Sequence, residues 1–469
     1  MTFTTITFFI FLILFFAGYW ILARTNKDAR NLFMIFGGYL FYGWWDWRFL
    51  LLLIFSSSVD FASGLLIHSA KNRSNKKIFL GISLGVNLCL LGFFKYCDFF
   101  ITSANDMMQV LGYGGSLQTL KIILPVGLSF YTFQSMSYAL DVYKGKLTPT
   151  KNIIDFFAFV SFFPQLVAGP IERAIHMLPQ FSSAKKFNYD QATSGVRMII
   201  WGLFKKMVIA DTFAVLANQY FSNPSGFDSI SAWIGVLAFA IQIYGDFSGY
   251  SDIAMGCAKL LGFELMVNFK TPYFSKTFTE FWQRWHISLS TWFRDYVFIP
   301  LGGNRGHIIR YILNIMITFL LSGFWHGASY NFIIWGFLHG ALLVVEKILL
   351  KVFPKFKGFS LIIFISVILC WVPFRAADLA QTVAAWSPLF SFNFIIEKFI
   401  YPLSIHNQLF LIPLALFVVI EFWINKLTFA EKVMKIPKAI RWVLYYTLIL
   451  CILVFGDFNN APTFIYFQF

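Results

Sequence analysis

Charge is scarce in this chain. Only 13% of its 469 residues are Asp, Glu, Lys or Arg, against about 25% in a soluble domain, which excludes a water-soluble enzyme carrying a single anchor. Cysteine is sparse too. Cys89, Cys97, Cys257, Cys370 and Cys451 form no CxxC and no paired framework, so neither a disulfide scaffold nor a metal site is indicated. The chain also lacks HExxH. No basic residue precedes the first apolar run, Ile6–Ala23, so that run reads as a retained helix rather than a cleaved leader. No soluble domain and no clean internal repeat can be discerned.

What is present is apolar and aromatic. Hydrophobic residues make up 58% and aromatic residues 20%, with 61 Phe, which defines an all-α polytopic membrane protein. The spans expected from hydropathy are Ile6–Ala23, Leu32–Trp45, Phe49–His68, Ile78–Phe94, Ile122–Val142, Ile153–Val167, Met198–Phe221, Ile230–Cys257, Ile308–Phe324, Phe332–Val352, Leu361–Val372, Leu409–Ile424 and Trp442–Phe455. Several are short or interrupted by Gly and Pro, as re-entrant segments are. The excess of 37 Lys and Arg over 22 acids falls in short loops, so it reads as membrane topology and not as nucleic-acid binding. Clusters at Arg24–Arg30, Lys71–Lys77 and Lys144–Lys151 fit one cytoplasmic side. Both termini are then expected outside, in a bacterial cytoplasmic membrane. Between Phe269 and Asn304 aromatics mix with charges. Phe274, Phe278, Phe281, Trp282 and Trp285 recur at spacings of three and four, which predicts helices lying in the interface.

The most informative residue is His326, in the run from Leu321 to Tyr330. A titratable ring at membrane depth marks a functional site unless a partner or cavity explains it. It reads either as a base for a hydroxyl nucleophile or as a satisfied core or channel histidine. His286 closes the aromatic segment, and pairing with Asp295 is its structural alternative. His339 is out of helical phase with His326, so the two do not make a metal site. His68, His176, His307 and His406 carry no spacing signal. Asp246, Ser248 and Asp252 lie within an apolar span and read as a buried hydrogen-bond network or a cavity lining, with Arg284 or Arg294 as the expected partners. The stretch Pro164–Arg173 suits either a broken helix around a tunnel or a plain loop. The chain ends on aromatics, Phe464–Phe469, where a terminus is ordinarily polar. If this tail re-enters the fold from outside, Tyr466 brings a phenol towards His326.

Five segments carry a family resemblance: FPQLVAGPI over Phe163–Ile171, YGDFSGYSD over Tyr244–Asp252, FWQRWHISLS over Phe281–Ser290, RDYVFIPLGG over Arg294–Gly303 and SGFWHG over Ser322–Gly327. In their order and length the chain resembles the membrane-bound O-acyltransferases of the bacterial AlgI/PatA/DltB branch. The built-in tail is more similar to the alginate or peptidoglycan O-acetyltransferase type than to the teichoic-acid D-alanylation type. The resemblance implies a ring of tilted helices with re-entrant and interfacial pieces around a tunnel, all in a single domain with an extracytoplasmic aromatic tail at 457–469. It implies His326 as the catalytic histidine, His286 as the second histidine and Tyr466 as a transient acyl carrier. Asp246, Ser248, Asp252, Arg284, Trp285 and Trp325 are expected along the tunnel. It further implies a cytoplasmic acyl thioester donor such as acetyl-CoA, with no bound cofactor and no metal. The acyl group would reach a polysaccharide outside, through an SGNH-type acetyltransferase partner or directly. The rival readings are a transporter or flippase for a lipid-linked glycan, D-alanyl transfer, and a non-catalytic scaffold.

Overall fold

The computed structural model describes residues 1–24, 26–167, 169–355, 358–391, 410–458 and 464–467. All regular elements among them are helical. They form two compact units, Met1–Ala192 with Cys257–Met266, and Thr193–Gly256 with Val267–Phe469.

The first unit holds α1 (Ile6–Ala23), α2 (Lys27–Asp46), α3 (Leu50–Ser69), α4 (Arg73–Leu91), α5 (Cys97–Val110), α6 (Leu128–Tyr143), α7 (Ile153–Val160), α8 (Phe163–Leu166) and α9 (Ala174–Ser182). Phe11, Phe15 and Phe41 pack around Phe163 at ring-centroid distances of 5.3, 5.4 and 5.5 Å, so α1, α2 and α8 share an aromatic core. Several polar side chains buried in this unit are paired, which lowers the cost of burying them. Asp60 of α3 accepts from Ser83 Oγ at 2.6 Å and Asn87 Nδ2 at 2.9 Å, both on α4. Arg30 donates to Phe181 O at 2.6 Å and Ser183 O at 2.9 Å, which ties α2 to the end of α9.

The second unit holds α10 (Tyr189–Leu203) from Thr193 on, α11 (Asp211–Ser222), α12 (Ser229–Leu260) as far as Gly256, α13 (Phe278–Arg284), α14 (Ile287–Phe293), α15 (Ile308–His326), α16 (Tyr330–Val352), α17 (Ser360–Arg375), α18 (Leu379–Trp386), α19 (Leu411–Ile424), α20 (Phe429–Val433) and α21 (Lys438–Phe455). Helices α15 and α16 form a hairpin whose crossing is set by glycine. A Cβ on Gly323 would lie 2.1 Å from Phe332 O, and one on Gly336 2.2 Å from Phe319 O. Only hydrogen fits at either point. Glu346 of α16 accepts the free N–H groups of Phe278 and Thr279 at the start of α13, so an anion meets the positive helix end. That contact anchors the short helix leading to His286.

Seven helical stretches among the described residues are long and apolar enough to cross a membrane, with Ser360–Arg375 and Leu411–Ile424 as shorter apolar helices. The hydropathy spans differ from the structure in three places. Ile122–Val142 becomes helical only from Leu128, where Gly127 takes φ 76°. Ile153–Val167 breaks into α7 and α8 at Ser161–Phe162, with Pro164 in the first turn of α8. Met198–Phe221 is interrupted by a π-helical turn over Phe204–Ala210 that carries buried Lys205 and Lys206. The aromatic segment expected at the interface forms the short helices α13 and α14, with Phe281 and Trp285 1% exposed, His286 fully buried and Phe274 38% exposed. The periodicity marked an apolar face correctly, but a protein core satisfies such a face as well as a lipid boundary does.

Candidate active site

His286 sits between α13 and α14 with φ 42°, a left-handed backbone that a non-glycine residue rarely adopts. Backbone hydrogen bonds on either side of it accompany this conformation. Lys270 N–H donates to Arg284 O and Ile287 N–H to Asn268 O, each at 2.9 Å. Asn268 also fixes the ring. Its Oδ1 lies 3.1 Å from His286 Nδ1 and accepts from Ser288 N–H at 3.2 Å and Ser288 Oγ at 2.9 Å. Asn268 Nδ2 donates to Ser251 Oγ at 3.3 Å, which orients the amide. An acceptor at Nδ1 places the proton there and leaves the Nε2 lone pair available. Nε2 has no hydrogen-bond partner among the described residues. Burial lowers the pKa of this ring, so it is held neutral.

His326 ends α15 and is 4% exposed. Trp325, Trp335 and Phe374 surround it at ring-centroid distances of 5.0, 4.9 and 5.3 Å. Gly327 follows, and a Cβ there would meet the Phe332 ring at 2.0 Å. The sharp exit from α15 that seats His326 therefore requires a glycine.

The aromatic tail brings the third element. Phe464 is fully buried, with its ring 4.5 Å from Tyr250 and 5.6 Å from Phe247. Ile465 N–H donates to Asp246 Oδ2 at 2.7 Å. Tyr466 then lies 4.5 Å from Phe247, 5.6 Å from His326 and 6.5 Å from His286, centroid to centroid. One phenol is thus flanked by two histidines from separate parts of the chain. Residues 459–463, 468 and 469 lie outside the described residues, as does His406.

The acids of α12 serve this arrangement through lysines. Asp246 pairs with Lys206 at 2.9 Å, Lys206 with Asp211 at 2.7 Å, and Asp252 with Lys205 at 2.6 Å. The expected arginine partners are taken elsewhere: Arg284 pairs with Glu280 and Arg294 with Asp295. Asp295 is accordingly not the partner of His286. Lysines on the adjacent π turn are closer to α12, because Gly202 and Gly249 let the helices approach: a Cβ on Gly202 would lie 2.6 Å from Gly249 O. Ser248 is buried, and its Oγ has no partner among the described residues. Trp285 stacks on Phe281 at 5.7 Å and meets Trp371 at 4.8 Å. Arg284 is a structural clamp, since it also donates to Thr271 O at 3.4 Å.

Asn268, Lys206 and Trp335 escaped the sequence reading. Two lysines inside an apolar run were the available signal for the first ion pair; Asn268 and Trp335 carried none. His339 proves to lie on α16, not on the helix of His326, yet both rings pack on Trp335, at 4.8 and 4.9 Å. Among the described residues no three His, Cys, Asp or Glu side chains group as a metal site.

The fold and site define a polytopic helical membrane protein with a buried pair of histidines facing an inserted tyrosine. Residues 147–374 match the model of the membrane-bound O-acyltransferase family. Over 393 residues the chain is 42% identical to the probable alginate O-acetylase AlgI of Pseudomonas aeruginosa, covering 82% of this chain and 74% of that one. It is 36% identical over 424 residues to the peptidoglycan O-acetyltransferase of Helicobacter pylori, covering 83% and 80%. It is 30% identical over 247 residues to the teichoic acid D-alanyltransferase of Streptococcus thermophilus, covering 48% and 57%. The chain belongs to the membrane-bound O-acyltransferase family and is an O-acyltransferase.

Proposed function

We propose that this protein carries an acetyl group from a cytoplasmic thioester, acetyl-CoA, to a polysaccharide outside the cytoplasmic membrane. The observation that carries the reading is the Tyr466 ring flanked by His326 and His286 at 5.6 and 6.5 Å. His326 takes the proton of the Tyr466 hydroxyl. The phenolate oxygen attacks the thioester carbonyl, a C–O bond forms, the C–S bond breaks, and the departing thiolate receives the proton from the imidazolium. Neutral His286, edge-on to the phenol ring at 6.5 Å, packs beside it and limits its orientation. A glycan hydroxyl, or an SGNH-type acetyltransferase partner, then accepts the acetyl group and restores the phenol. Alginate and peptidoglycan are the polymers the relatives act on, and either chemistry offers the required secondary or primary hydroxyl. Enclosure among Phe247, Phe374, Trp325 and Trp335 keeps water from the ester and the thioester.

Purified protein given radiolabelled acetyl-CoA tests this. Label is expected on the C-terminal peptide, lost in Tyr466→Phe, with transfer abolished in His326→Ala although the protein still inserts and folds. Normal acetylation by Tyr466→Phe would remove the relay and leave direct transfer. Normal acetylation by His326→Ala would remove the proton-transfer role.

A further inference from the structure

The first unit carries a feature that acyl transfer does not use. A cavity of about 690 Å³ opens between the end of α1 and the segment after α9. Its wall is aromatic: Phe187 meets Trp20 edge-on at 5.3 Å and Phe16 at 6.2 Å. Trp20 is fixed by donation from Nε1 to Leu260 O at 3.1 Å. Its polar lining is cationic, from Arg24, Lys185 and Lys186. Arg24 and Lys186 are exposed and form no ion pair among the described residues. The neighbouring acid, Glu264, faces Lys259 at 3.8 Å.

Lys185 is held in place, donating to Gly262 O at 2.8 Å with its ammonium 4.3 Å over the Phe263 ring. Burial, followed by the charge of Arg30, pushes its pKa down to about 8; a bound anion would oppose both effects. The place of the cavity supplies the other half of the argument. Helix α1 is long and apolar enough to span the membrane and ends at Ala23, so Arg24 lies at head-group depth. Ile13, Leu14 and Ile21 of α1 are 67–68% exposed, an outer face suited to acyl chains.

We propose that this cavity binds the phosphate head group of an anionic phospholipid, with Arg24, Lys185 and Lys186 around the phosphate and Phe16, Trp20 and Phe187 against the glycerol backbone. The lipid would clip α1 to the segment following α9. Basic pockets at the ends of membrane helices take anionic head groups in this way.

The test uses full-length protein in detergent, titrated with phosphatidylglycerol or phosphatidylcholine and read by native mass spectrometry. Wild type is expected to retain phosphatidylglycerol and not phosphatidylcholine. Each exposed cation contributes about fivefold at an anionic head group, so Arg24→Gln with Lys186→Gln should weaken retention about 30-fold. Neither side chain has an ion-pair partner among the described residues to lose. The control Lys71→Gln with Lys77→Gln, exposed lysines just before and within the first turns of α4, should leave retention unchanged. Equal retention by the Arg24/Lys186 variant and wild type would overturn the proposal. So would displacement of the lipid by an equal concentration of glycerol 3-phosphate, which would assign the site to a soluble phosphate.

Discussion

Phe464→Ala separates the docking of the tail from its chemistry. Phe464 is fully buried against Tyr250 and Phe247, and truncating a buried Phe to Ala costs about 3–5 kcal/mol. What would still hold the tail is Ile465, 1% exposed, whose side chain contributes about 1.5–3 kcal/mol. Its N–H bond to the Asp246 carboxylate contributes about 1.5–3 kcal/mol more. Ordering the backbone of Phe464–Phe467 opposes this by about 1–2 kcal/mol per residue. At mid-range the opposing term exceeds the holding terms by about 1.5 kcal/mol, so without the Phe464 ring the tail should be mostly undocked. At about 1.4 kcal/mol per tenfold, kcat for acetylation should fall at least tenfold, while KM for the donor stays unchanged. In the same background, Tyr466→Cys should react with a maleimide that leaves Tyr466→Cys alone untouched. A kcat within twofold of wild type, alongside an inactive Tyr466→Phe, would refute the claim that burial of Phe464 positions the phenol.

Three further outcomes are expected. Asn268→Ala frees His286 Nδ1 from its acceptor; loss of the fixed tautomer should lower kcat by tenfold or more, and a histidine NMR spectrum showing an unchanged Nδ1–H form would contradict the assignment. Gly336→Ala places a Cβ 2.2 Å from the rigid Phe319 carbonyl, so α15 and α16 must separate at a cost of about 1–3 kcal/mol or more; an unchanged thermal midpoint would show that the hairpin does not depend on that crossing. The half-exposed His176 has its pKa raised by its hydrogen bond to Glu172. Its contribution is complete below the unfolded histidine value and is lost as pH rises through the higher folded value, so the stability gap between wild type and His176→Gln should close from pH 5.5 to pH 8. The gap stays below about 1 kcal/mol because the pair is partly solvated, and a gap that widens with pH would reverse the assignment.

His326 stood out in the sequence because it is an ionisable ring in an apolar run beside small residues, and the structure gives those glycines a steric reason at Gly323 and Gly327. The aromatic tail was legible for a similar reason: an apolar terminus must be buried somewhere. The partners of Asp246 and Asp252 were not legible. Arginines close in a motif seemed the natural choice, but the Gly202–Gly249 approach brings Lys206 and Lys205 nearer. The aromatic segment Phe278–Trp285 showed its apolar face, yet periodicity does not distinguish lipid from protein as the surface that covers it.

By itself the sequence determined that the chain is helical and membrane-embedded, because its scarcity of charge and its long apolar stretches admit no other way to satisfy the backbone. It also determined which titratable groups are too costly at that depth to be incidental. Only the tertiary structure decided that His286, His326 and Tyr466 meet, that Asn268 sets the tautomer of one histidine, and that lysines neutralise the acids of α12. Those contacts join residues far apart in the chain, and their geometry follows from glycine crossings and a π turn that place backbones within a few ångströms. Local periodicity carries no record of such distances.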